Sequence, residues 1–167
     1  MRGEDANRPS ALHLAALFGL SAGVLAFEVL LLRLFEFSHW HHFAGLAVSL
    51  ALLGLGAAGT LLALLGPARV AAGDGWFLGA LTFTAAGLLL VIALHAGVAV
   101  RPVVAGWDAA ELGRLLLVDL VAFLPFLGAG LAIGQAFMRW PRHTGRVYAA
   151  NLLGSGAGSL AASGLLA

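Results

Sequence analysis

Long apolar runs separated by short polar ones leave this chain few folds to choose from. About 20 apolar residues suffice for a helix to cross the hydrocarbon core of a bilayer. Backbone polar groups in that core must pair within the chain, and an α-helix does this segment by segment. The runs at residues 11–37, 43–65, 76–98, 114–138 and 147–167 are all long enough. Composition agrees, with 61% hydrophobic and only 10% charged residues and a mean hydropathy of +0.98. A soluble domain carries about a quarter charged residues. The expectation is an all-α, polytopic membrane helix bundle of about five transmembrane helices.

The segments between the runs fit this division. Residues 1–10 read as a polar N-terminal tail and residues 11–167 as one transmembrane domain, with Pro9-Ser10 suited to a helix start. Gly66-Pro67 stops the second run, because proline cannot continue the hydrogen-bond ladder. Residues 66–75 read as a loop, and Trp76 opens the third span as an interfacial anchor. Within residues 99–113, Asp108 is a plausible N-cap of a helix start or a short surface helix. Pro125 is expected to kink the fourth span. Residues 139–146 read as a basic loop, and the fifth run stops at Ala167 as a chain that continues would.

All nine basic residues are arginine. With a cytoplasmic N-terminus, Arg2, Arg8, Arg69, Arg139, Arg142 and Arg146 lie inside, and Arg33, Arg101 and Arg114 outside. That six-to-three bias favours the N-terminus in, and a bacterial inner membrane is the expected location. A net charge of +1 leaves no nucleic-acid footprint. No cysteine is present, which excludes disulfides and thiolate sites. Hydrolase, phosphate-loop and zinc-protease motifs are absent. The expected partners are the lipid bilayer and other membrane subunits or further copies of the chain. Gly19 and Gly23, Gly130 and Gly134, and Gly154 and Gly158 are each four apart, a spacing that lets helix backbones approach in lipid. Small residues cover nearly every face of the fifth run, which is expected in the bundle interior or against a partner.

Polar groups inside apolar runs are expensive and mark candidate sites. Glu28, Arg33, Glu36, Arg114, Asp119 and Asn151 are the expected buried polar residues. Most gather toward the outer ends of the spans, with His95 at matching depth and His13 near the opposite face. Arg33 and Glu36 are three apart and can pair on one helix. Glu28 and Arg33 are about 140° apart around a helix axis, so Glu28 is expected either to be protonated or to find a partner on another helix. His95, Arg114 and Asp119 are the candidates. The turn His39, Trp40, His41, His42 reads either as an interfacial belt or as a metal site, since imidazole is a common ligand. His95 or His13 could ligate haem or a chlorophyll-type pigment.

Three segments resemble the membrane part of polytopic spermidine synthase-like proteins: GLSAGVLAFEVLLLRL (19–34), HHFAGLAVSLALLGLGAAGTLLAL (41–64) and GRVYAANLLGSGAGSLAASGLLA (145–167). The last carries the family's Tyr-Ala-x-Asn-x-x-Gly pattern as Tyr148, Ala149, Asn151 and Gly154. The resemblance implies a membrane domain that family members commonly join to a methyltransferase-fold domain binding decarboxylated S-adenosylmethionine or a relative. No part of this sequence reads as that domain, so no aminopropyl-transfer residue carries over. Three readings follow: a non-catalytic membrane subunit or anchor, a transporter or proton-conducting element using Glu28 and Asp119, and a haem-, pigment- or metal-binding subunit using histidines.

Overall fold

The computed structural model describes residues 8–39, 44–71, 73–97 and 108–166, apart from the side chains of residues 37–39 and 44. Among these residues the chain is all helix, with no strand. The helices are α1 (Ala11–His39), α2 (Ala44–Leu65), α3 (Pro67–Val70), α4 (Asp74–Gly97), α5 (Ala109–Arg139) and α6 (Thr144–Leu165). A 3-10 turn, Pro141–His143, joins the last two. Four of them, α1, α2, α4 and α5, are long and apolar enough to cross a membrane. The chain is therefore a multi-span, all-α membrane protein. The 22-residue α6 has the length of a span but is diluted by glycine and serine.

The element ends follow local chemistry. Gly66 takes a φ of 81° after α2, a left-handed conformation that glycine adopts without strain. Pro67 then opens α3, a turn of helix inside the expected 66–75 loop. Asp108 caps α5 by accepting from the Ala110 N–H at 2.9 Å. The short surface helix and the fourth span are thus one 31-residue helix, which continues through Pro125.

Helix α5 is the hub. It packs on α2 along one side and on α4 along another, while α2 and α4 scarcely touch each other. Gly54 lies against Phe126, and Ala58 against Gly130, so α2 and α5 run in the same direction. Gly87 lies against Pro125 and Thr84 against Gly128, so α4 and α5 are antiparallel. The second large interface joins α1 and α6, which run parallel because Gly154 meets Phe18 and Gly158 meets Ala22. One core cluster joins Leu31, Phe35, Leu50, Val91 and Phe126; the other joins Leu17, Phe77, Ala136, Trp140 and Val147 at the opposite end.

Two packing expectations change. Gly19 and Gly23 face open space, and it is the backbone of residues 18–22 that meets Gly154 and Gly158. Helix α6 is not surrounded. Val147, Gly154, Gly158 and Ala162 form one covered stripe, while Leu152, Leu153 and Leu160 are exposed. A helix rich in small residues on every side still needs only one side to meet a single neighbour.

Candidate functional site

Three helix ends meet at the N-terminal end of α1. Ser10 accepts from the His13 N–H at 3.3 Å, which places His13 in the first turn of α1. Asp74 is the first residue of α4 and Arg139 the last of α5. The His13 Nε2 lies 2.9 Å from Asp74 Oδ1, and Arg139 pairs with the same oxygen. Ser10 Oγ lies 2.6 Å from His13 Nδ1. A carboxylate only accepts, so Nε2 carries the proton toward Asp74 and Nδ1 accepts from Ser10, a tautomer assigned from the pattern. The imidazole stands edge-on to Trp140 at 4.9 Å and tilted to Phe77 at 5.9 Å. The Arg139 guanidinium lies 5.0 Å from the Trp140 ring centroid. Ser10, His13 and Asp74 thus align in the order of a hydrolytic triad, but Ser10 is engaged as a helix cap and Asp74 as the counter-ion of Arg139. The arrangement fastens α1, α4 and α5 together.

Beside this fastening, on another face of α4, a cleft of about 700 Å³ opens between α2 and α4. Helix α5 contributes Leu131 and Gln135 to it, α2 Leu62, and α4 Gly79, Ala80 and Phe83; Arg69 and Gly73 lie toward its end. Gln135 is 1% exposed. Its Nε2 donates to the carbonyls of Val70 at 3.2 Å and Gly73 at 3.3 Å, tying α5 to the α2–α4 connection. Its Oε1 is buried without a partner.

At the opposite end two charged pairs among the described residues lie within single helices. Arg33 pairs with Glu36 at 3.3 Å, as their spacing predicts. Arg114 pairs with Glu111 at 2.7 Å and is not a partner of Glu28. Arg33, Glu36 and Arg114 are exposed rather than buried, because residues near a span's end can extend their charged heads outward. Glu28 lies on the packed stripe of α1 between Val24 and Leu31 and is half-buried. It makes no hydrogen bond or ion pair among the described residues, so the expected cross-helix partner is not there. Asp119 is half-buried within electrostatic reach of His95, and its Oδ1 has no hydrogen-bond partner. Asn151, also half-buried, does reach across helices: its Oδ1 lies 2.7 Å from the buried Ser21 Oγ on α1.

The histidine expectations divide. His13 has both ring nitrogens engaged, Nδ1 with Ser10 and Nε2 with Asp74. The His95 Nδ1 lies 3.3 Å from the Val91 carbonyl, which leaves Nε2 for other contacts. His41, His42 and the His39 side chain lie outside the described residues. Among the described residues no three His, Asp or Glu side chains are grouped to hold a metal ion. The expected polar layer lies at the outer ends of the spans, whereas the cross-helix Asp74–Arg139 ion pair lies at the other end. Gln135 and Glu111, not among the expected polar residues, are 1% and 7% exposed. A lone amide in LAIGQAFM carries the same cost in lipid that singled out Asp119. Comparison with protein-family models, curated proteins and solved structures gives no match.

Proposed function

We propose that this chain is a non-catalytic membrane module, a subunit or anchor in a larger membrane assembly, of the kind that forms the membrane part of spermidine synthase-like proteins. In this reading α6 is a fifth span, and the chain lies in a bacterial inner membrane with its N-terminus in the cytoplasm. One observation carries the proposal: several polar side chains, though not Glu28 or Asp119, join one helix to another. His13, Asp74 and Arg139 fasten three ends, Gln135 holds the α2–α4 connection, and Ser21 with Asn151 joins α1 to α6. The first and third segments of the family resemblance meet where Gly158 packs on Ala22, and Gly154 packs on Phe18 just ahead of the first segment. The free face of α6, with Leu152, Leu153 and Leu160, offers a surface for another membrane helix.

The test is mild-detergent extraction of the tagged protein from its native membrane, followed by mass measurement. A complex with a membrane partner or a second copy in fixed ratio is expected. A solitary 17.1 kDa chain, with cross-linking in intact membranes also giving only single chains, would overturn the reading. Asp119, unpaired beside His95, favours a second reading as a proton-conducting element. Proton flux into liposomes that is lost in Asp119→Asn would support it.

A further inference from the structure

The cleft between α2 and α4 has the construction of a ligand site. Its volume of about 700 Å³ falls in the range of small-molecule pockets, about 300–1,000 Å³. The wall is apolar along its length, from Leu62, Gly79, Phe83 and Leu131, and polar at one end, where Arg69 and Gln135 lie. From Gly73 to Phe83 the α4 side runs ten residues, about 15 Å. Arg69 is the one charged residue among those lining the cleft. It forms no ion pair among the described residues. The nearby Asp74 carboxylate is held by His13 and Arg139 and does not neutralise it. Gln135 supplies the second polar feature: both its amide contacts are made through Nε2, leaving a buried acceptor that lacks a donor. An occupant should therefore bring an anion for Arg69, a hydroxyl or N–H for Gln135, and an apolar tail.

The cleft lies at the end of the spans, where α3 and residues 73–75 connect two membrane helices. At that depth an anion meets hydrocarbon in membrane amphiphiles, and the unpartnered Gln135 Oε1 favours one whose head group also carries a hydroxyl. We propose that this cleft binds one anionic glycerophospholipid with a hydroxylated head group. The phosphate pairs with Arg69, a head-group hydroxyl donates to Gln135 Oε1 after a small turn of the amide, and an acyl chain lies between α2 and α4. Gly79 keeps the groove open, since a Cβ placed there would meet no protein atom within 4 Å. The inference rests on the membrane character of the chain and not on its role as a subunit.

The probe is phosphatidylglycerol, with phosphatidylcholine as the zwitterionic control. Delipidated protein in mild detergent is titrated with each, and retained lipid is counted by native mass spectrometry. One phosphatidylglycerol per chain is expected to be held in preference to phosphatidylcholine. Gly79→Leu places a side chain in the groove at a position where a Cβ meets no protein atom within 4 Å, and Arg69→Gln removes the charge from an exposed position. Loss of one charge-assisted contact should weaken retention in Arg69→Gln by about tenfold. Gly79→Leu should lower retention at least as much, with the thermal midpoints of both variants unchanged. Equal retention of the two lipids would overturn the proposal, as would full retention by Gly79→Leu. Displacement of the lipid by millimolar inorganic phosphate would do so too, by showing a site for the free anion. Whether the chain also purifies with a partner does not affect these outcomes.

Discussion

Gly154 and Gly158 have value only because another backbone needs the space they leave. A Cβ at Gly158 would run into the Ala22 carbonyl, and one at Gly154 into that of Phe18. Gly19 and Gly23 share the same four-residue spacing and meet nothing. Gly158→Leu should therefore lower stability by at least about 1–3 kcal/mol, the usual range for overpacking. Gly19→Ala should not lower stability, because its Cβ meets nothing and alanine is the better helix former. Thermal unfolding in detergent reads both, and similar midpoints for the two variants would contradict the α1–α6 interface. Asp74 invites a parallel experiment. Asp74→Ala strands both His13 and Arg139, whereas His13→Phe keeps the ring packed on Trp140 and Phe77 and removes only the polar contact. The midpoint should fall further in Asp74→Ala. Glycine spacing and lone polar residues were legible in the sequence, but which of them another helix approaches was not. Spacing reports a helix's own period and says nothing about which side a neighbour takes.

The long helices follow directly from the apolar runs, with boundaries shifted by local caps. Helix α5 starts at Ala109 rather than 114 because Asp108 caps it there. Pro125 leaves the helix continuous and packs against Gly87, its ring filling space that the glycine vacates. The pairing of elements was less accessible. Helix α6 lies against α1, the element farthest from it in the chain, and the two share the Ser21–Asn151 contact. A double-mutant cycle of Ser21→Ala and Asn151→Leu should give a coupling of about 0.6 kcal/mol, the average for hydrogen bonds between membrane helices. A coupling indistinguishable from zero would leave the glycine seam alone to hold the pair. A larger loss is expected for Gly130→Leu, because its side chain would enter the space of Ala58 and Leu55 at the α2–α5 seam.

At the scale of the whole molecule, helix directions sort the charges. Arg8, Arg69, Arg139, Arg142 and Arg146 fall at the end where α1 begins and α2 and α5 finish, and Arg33 and Arg114 at the other. With no native cysteine, single-cysteine variants report sidedness cleanly. Arg142→Cys should label from the cytoplasmic side and Ala109→Cys from the opposite side; labelling of both from one side would refute the arrangement. Hydropathy alone determined the all-α fold class and the four long apolar helices. These depend on each segment's own transfer into lipid, and each segment carries that information by itself. The tertiary structure decided that α5 is the hub, that α1 pairs with α6, and that His13, Asp74 and Arg139 meet. It also left a cleft beside Gln135. Those outcomes depend on how surfaces from distant segments fit at close range. In lipid that fit is set by small-residue packing and single polar contacts, which leave no periodic signal along the chain.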